Sequence, residues 1–214
     1  MIHLGRKFWL SNELWLTACA ALWLHAAPAV PVTVSVTTKS GASPENTLLV
    51  FDPLNAPPPP GPGMASIDQV DKRFVPRISV LRTGTVVTFP NSDHIRHQVY
   101  SFSPAKVFTL KLYAGSPSTA VTFDKPGLVV LGCNIHDRMV AFVGVVDTPY
   151  FAKADATGNA VLDLPAGRYR LRVWHPGLAA AFPPRELSVD KAPLALPLNI
   201  DLDSAPAAVA AWPE

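Results

Sequence analysis

From Val32 onward the apolar residues fall into short runs with a period of two, and helical spacing is nearly absent. Val32-Thr33-Val34-Ser35-Val36-Thr37 alternates cleanly, as a half-buried strand does. Leu48-Leu49-Val50-Phe51 is a second run, stopped by Asp52-Pro53. Turn formers separate the runs, and 23 of the 214 residues are proline. The stretch from Pro57 to Gly63 supplies almost no backbone donors, which predicts a stiff extended loop. Further strands are expected over Arg77–Leu81, Thr85–Phe89, Gln98–Phe102, Phe108–Leu112, Ala120–Phe123, Leu128–Leu131 and Val140–Val146. Each is bounded by Gly, Pro, Asn, Asp or Ser, a spacing that predicts an all-β antiparallel sandwich or barrel. Hydrophobic residues make up 49%, enough for a real core, so disorder does not describe the whole chain. A formal net charge of +2 with 16% charged residues gives no reason to expect nucleic acid or an anionic surface as partner.

Residues 1–29 read as a signal peptide. Arg6 and Lys7 form a basic start, Leu14 to Ala27 is largely apolar, and Ala27-Pro28-Ala29 offers a small-x-small cleavage pattern, leaving Val30 first. The apolar run is too short and too poorly flanked for a membrane span, so the mature chain is expected to be periplasmic or otherwise exported. Leu16-Thr17-Ala18-Cys19 also resembles a lipobox that would anchor the protein through Cys19, although the apolar stretch continuing past Cys19 argues against it. Cleavage at Ala29 removes Cys19 and leaves Cys133 alone. A lone thiol in an oxidising compartment has to be buried or ligated.

A module boundary is expected near Thr148 to Tyr150. Residues 30–148 would form one domain, with its ligand-bearing core at 65–147, and the sequence leaves open whether Val32 to Asp52 completes that sandwich or pairs with the C-terminal module. Residues 149–203 would form a small β module around the turn Asp155-Ala156-Thr157-Gly158, the runs Ala160–Leu164 and Tyr169–Trp174, and a strand within Leu194–Leu202. Residues 204–214, rich in Ala and Pro, would be a frayed tail.

Chemistry concentrates in Cys133-Asn134-Ile135-His136-Asp137-Arg138-Met139, a Cys-x2-His-x2-Met pattern between two apolar runs. Thiolate, imidazole and thioether make a soft ligand set, and two-residue gaps let a tight loop turn all three toward one point. A trigonal His2Cys site with a long axial Met, the blue-copper arrangement, needs a second His. The loop after Val87-Thr88-Phe89-Pro90-Asn91 carries His94 and His97, and His97 opens the next strand. In a Greek-key sandwich, loops at the same end of non-adjacent strands meet, which would bring His97 to Cys133.

The region from about Ile67 to Asp147 resembles a cupredoxin, and its ligand loop is similar to the short loop of amicyanins. The resemblance keeps the register from Val87-Thr88-Phe89-Pro90-Asn91 to His97-Gln98-Val99 and so selects His97 over His94. Phe89 to Tyr150 is also similar to exported proteins labelled methylamine utilization protein, a label that does not itself establish a role in methylamine oxidation. The resemblance implies a cupredoxin Greek-key β-sandwich holding one Cu(I)/Cu(II) ion on His97, Cys133, His136 and Met139. From the residues themselves, His94, Asn91, Gln98 and Asn134 are expected as neighbours of those ligands, with His94 the alternative ligand. Gln98, Asn134, Ile135 and Leu131 depart from the amicyanin pattern, at positions that tune a site more than they make it.

The resemblance implies one-electron transfer by an exported monomer, with a redox protein, a cytochrome or dehydrogenase, as partner. By family analogy His136 would serve as the electron port and Phe142 or Pro104 would offer an apolar docking surface. Near-neutral charge favours apolar docking over steering. A non-redox copper carrier or sensor would use the same ligands. A third reading rests on Ala154 to Leu171, which resembles a carboxypeptidase-regulatory-like, transthyretin-type module, an accessory or adhesion element in which Trp174 would stack on sugar. No catalytic residues are expected. Cys133 with His136 as a hydrolase pair lacks the helix-start oxyanion hole such a nucleophile commonly uses.

Overall fold

The computed structural model describes residues 29–55, 61, 63–117, 119–203 and 212–213. The expected signal peptide and Cys19 lie outside the described residues, apart from Ala29, as does most of the proline-rich loop. The first strands are β1 (Ala29–Thr38), β2 (Leu48–Pro53), β3 (Met64–Ser66), β4 (Asp68–Val70) and β5 (Arg73–Val75). Next come β6 (Ile78–Arg82), β7 (Thr85–Thr88), β8 (His97–Ser103), β9 (Lys106–Tyr113), β10 (Val121–Phe123) and β11 (Gly127–Gly132). The last are β12 (Val140–Val146), β13 (Phe151–Lys153), β14 (Asn159–Pro165), β15 (Gly167–Trp174), β16 (Arg185–Val189) and β17 (Leu194–Ile200). No helix occurs among the described residues, so the chain is all-β, as its periodicity predicts.

The strands build two sandwiches. In the first, the sheet β10-β7-β3 faces the sheet β6-β12-β11-β8-β9, and the β4–β5 hairpin closes one end. Its core runs from Ile67 and Phe74 through Phe89, Phe123, Val129 and Leu131 to Ala141, Val143 and Val145. In the second, β14-β1-β17 faces β13-β2-β15-β16 over Val32, Val34, Phe51, Leu164, Leu171 and Val173. Strand β1 shows why this works, since its burial alternates strictly and one face of valines enters the core while the other stays exposed.

The boundary expected at 148 assigns residues 30–53 to the ligand-bearing domain, and strand pairing places them elsewhere. Strand β1 pairs with β14 and, in parallel, with β17, while β2 pairs with β13 and β15. The physical reason is the core: the valines of β1 and Leu49 and Phe51 of β2 pack with the C-terminal strands. The sandwich that carries His97, Cys133 and His136 is therefore inserted within the sequence of the other.

Two strands with unbroken apolar runs hold the sandwiches together. Leu48 to Phe51 of β2 and Ala141 to Val146 of β12 are buried throughout, so each strand serves two cores. Between them lie Leu48, Ile78, Phe142 and Trp174, with Trp212 packed against this cluster. Gly144 makes room there: a Cβ on it would stand 2.5 Å from the Trp212 ring and 3.1 Å from Leu48. Arg172 Nη1 donates to the Pro213 carbonyl at 3.2 Å and its guanidinium lies 5.6 Å from the Trp212 ring centre. Trp212 and Pro213 are thus packed, whereas composition alone suggests a frayed end; residues 204–211 and 214 lie outside the described residues.

Candidate metal centre

Strand order brings the site residues together. Strand β11 lies between β12 and β8, and its antiparallel pairing sets Gly132 opposite Tyr100. The end of β11 therefore points toward the start of β8, so Cys133 arrives beside His97. These strands are direct hydrogen-bonded neighbours, a shorter route than the meeting of loops from non-adjacent strands that the sequence suggests. The loop from Cys133 to Met139 then folds back, with the Met139 N–H donating to the His136 carbonyl at 2.9 Å.

His97, Cys133 and His136 each offer one ligand atom, and the three atoms lie within 4.8 Å of one another. Cys133 Sγ is 3.8 Å from His97 Nδ1, and the His97 and His136 ring centres are 5.0 Å apart. Cys133 is a buried free cysteine, His97 is fully buried and His136 is half-buried. Met139 is buried in the same core cluster as Cys133. Of the neighbours expected from the sequence, Asn91 is buried, Gln98 is half-buried, and Asn134 and His94 are exposed. His94 is not part of the cluster.

His97 is oriented by a residue the sequence reading passes over. Its Nε2 lies 2.7 Å from Asp93 Oδ2. A carboxylate accepts but does not donate, so the ring proton belongs on Nε2 and the Nδ1 lone pair faces Cys133. Asp93 is itself held by the N–H groups of Asp71 and Lys72, which donate to its two oxygens at 2.7 and 2.8 Å. Both residues have positive φ, 50° and 58°, at the tip of the β4–β5 hairpin, as a two-residue type I′ turn requires. Burial pushes the Asp93 carboxyl up, but hydrogen bonds from Lys72, His97 and Asp71 outweigh it, leaving the group below its ordinary range.

Asn91 fixes the same loop from within. Its side-chain amide donates to the carbonyls of Ile95 and Tyr113, both at 2.9 Å, and its Oδ1 accepts from the Asp93 N–H at 3.0 Å. Below it, buried Gln69 donates to the Pro90 carbonyl and to Tyr113 Oη. The signal for Asp93 was present in the sequence as a carboxylate four residues before His97. It becomes legible once the β4–β5 turn is known to supply its other partners.

A metal fits these residues on the donor chemistry itself. His136 Nδ1 is buried and has no hydrogen-bond partner among the described residues, an arrangement that is costly for a polar atom without a ligand. His97 keeps an imidazole lone pair inward because Asp93 holds the other nitrogen. Two imidazoles and one thiolate, with a thioether buried nearby, suit copper better than a hard cation that prefers oxygen.

The surroundings differ from the expected docking face. Phe142 is 4% exposed and packs on Trp174 between the sandwiches. Pro104 is exposed, but it follows the far end of β8 from His97. The exposed apolar residues flanking the ligands are Ile95 and Ile135. Trp174 is 1% exposed and has no face for a sugar. His175 closes a turn instead, its Nδ1 accepting from the Gly177 N–H at 3.0 Å.

No protein-family model matches the chain, and no curated protein matches it. Among solved structures, part of the chain is similar to a Cu-containing nitrite reductase from Thermus scotoductus SA-01, at 24% identity and a TM-score of 0.36. That likeness covers 44% of this chain and 25% of the reductase. A purple cupredoxin from Nitrosopumilus maritimus is similar at 22% identity and a TM-score of 0.34, over 38% of this chain and 98% of that one. An oxidised amicyanin variant is similar at 16% identity and a TM-score of 0.33, over 45% of this chain and 97% of that one. The chain spans a quarter of the reductase's length, and each likeness covers less than half of this chain.

Proposed function

We propose that the chain is an exported mononuclear blue copper protein of the cupredoxin type, amicyanin-like in its ligand loop, that carries single electrons. The observation that carries this reading is the meeting of His97, Cys133 and His136 around a buried, unpartnered imidazole nitrogen. Copper, when bound, supplies the Cu(II)/Cu(I) couple. Cys133 serves as the thiolate ligand, giving up its proton on binding. His97 serves through Nδ1, with Asp93 holding its proton on Nε2. Met139 would serve as the thioether ligand, supported by its burial in the cluster that contains Cys133.

Packing limits what these side chains do. A buried His97 held through Asp93 and Asn91 changes position little between oxidation states, which keeps rearrangement during electron exchange small. The half-buried His136 gives electrons a short way in and out. The leader pattern supports export to the periplasm, and the partner is a redox protein of the cytochrome or dehydrogenase kind. The second sandwich is an accessory module without catalysis, and the protein is a monomer.

The test is optical. The mature chain loaded with Cu(II) is expected to show intense blue thiolate-to-copper absorption, absent in Cys133→Ser. A colourless wild-type complex, or a band that persists in that variant, overturns the assignment.

A further inference from the structure

Beside the ligand loop, β5 and the start of β12 enclose a cavity of about 530 Å³ lined by Arg73, Phe74, Val75, Arg77, Arg138 and Val140. Its three arginines are exposed. None forms an ion pair among the described residues. On β15 of the other sandwich the opposite holds: Arg168 and Arg170 approach Glu186, and Arg172 forks onto Asp52. A chain of net charge +2 thus concentrates unpaired guanidinium groups at one place.

That place adjoins the metal centre. Arg138 lies between His136 and Met139, in a turn closed by the Met139 N–H on the His136 carbonyl and the Val140 N–H on the Arg138 carbonyl. Arg77 lies 5.8 Å from the Phe142 ring, and its carbonyl accepts from the Phe142 N–H. Both arginines are therefore tied by their backbones to β12 or its entry. Val75, 48% exposed, and half-buried Val140 add apolar surface between the charges. Apolar floor and cationic rim together are the layout of a protein interface, and guanidinium is the cation best shaped for carboxylates.

We propose that this cavity receives an acidic segment of the protein that exchanges electrons with the metal centre, two or more Asp or Glu carboxylates flanking an apolar side chain. The identity of that partner as a redox protein rests on the copper reading above; the acidic recognition does not. Charge complementarity decides the occupant: exposed arginines gain little from one small hydrated anion, but a surface of several carboxylates is steered to all three. Overall near-neutrality therefore hides a local field, and docking need not lean on apolar contact alone.

The test uses the whole mature protein without metal, so a failure to bind copper leaves its readout intact. An isotope-labelled sample is titrated with the peptide Glu-Glu-Val-Glu-Glu, with Gln-Gln-Val-Gln-Gln, and with citrate. Saturable amide shifts at Arg73, Val75, Arg77, Arg138 and Val140 are expected with the acidic peptide and not with the glutamine one. Arg138→Gln is expected to weaken binding about threefold, and the triple variant R73Q/R77Q/R138Q more than about tenfold. Because these are exposed positions, an unchanged circular dichroism spectrum verifies the fold. Binding untouched by the triple variant, or shifts scattered over distant lysines, overturns the proposal. Citrate binding the same residues as tightly as the peptide overturns it in favour of a small-anion pocket. On the copper-loaded protein, one-electron reduction by hexacyanoferrate(II) is expected to slow in the triple variant while reduction by hexaammineruthenium(II) does not. Equal slowing of both contradicts the steering role.

Discussion

The two sandwiches differ in what they tolerate inside. The inserted one buries Gln69, Asn91, His97 and Cys133 at or beneath one end, and these contacts lead to the same loop. The other keeps an apolar core, and Thr47 and Thr148 beside it spend their hydroxyls on the carbonyls of Pro44 and Phe51. Buried polar atoms cost stability unless partnered, so an organised group of them marks a place where packing serves something besides folding. Strand geometry is shared; the difference lies in which loops were given chemistry.

The largest expected effect that would sharpen this contrast comes from Phe51→Ala. Phe51 is fully buried in the core of the other sandwich, and its truncation should cost about 3–5 kcal/mol. Urea unfolding measures the loss, while the copper absorption maximum should stay where it is in wild type. A shifted maximum would show that the second sandwich shapes the metal centre, and would break the comparison.

Asp93→Ala should act the other way. It removes the acceptor that fixes the His97 ring, and copper affinity is expected to fall about 10–100-fold in a chelator competition. The unfolding midpoint should move less than in Phe51→Ala. Unchanged affinity would mean that His97 is oriented by packing alone.

Gly144→Val probes the seam. The added side chain meets Trp212 and Leu48, and overpacking there should cost about 1–3 kcal/mol. Tryptophan fluorescence should shift as Trp212 is displaced from Trp174. No shift would show that the seam yields elsewhere.

The smallest effect is common to both halves. Burial pushes Tyr113 in one sandwich and Tyr169 in the other up to about 12, with the Gln69 hydrogen bond opposing the shift at Tyr113. An unfolded tyrosine ionises near pH 10. Each group's contribution is therefore fully present below about pH 10 and is lost as pH rises through about 12. Phenolate absorbance followed against pH checks the two late titrations; Tyr113→Phe and Tyr169→Phe should each remove one.

Much of this was legible in the chain because local patterns report local geometry. The alternation at Val32–Thr37 marks a strand with one wet face, and such a strand forms. The two-residue gaps of the Cys133 loop place His136 near the thiol, and the structure groups both with His97. Strands β3, β4, β5 and β13 escaped because each has only three residues and none lies within a longer apolar run that the sequence marks. The partners of β1 escaped for another reason: pairing to β17 is set by a shared core far along the sequence. The unbroken apolar runs of β2 and β12 carried one signal that was available, since a strand apolar on both faces must be covered on both. Asp93 needed the β4–β5 turn before its role could be read.

The insertion also orders events in time. Strand β1 comes early in the sequence, yet its parallel partner β17 comes near the end. The inserted sandwich has its own last strand, β12, well before that point. As the chain emerges from its N-terminal end into the compartment where it folds, the inserted sandwich can close while β1 waits with its valines uncovered. Non-local pairing of this kind is slow and exposes apolar edges meanwhile. Strand β1 therefore stays without its last partner the longest, although it belongs to the half that lacks His97, Cys133 and His136.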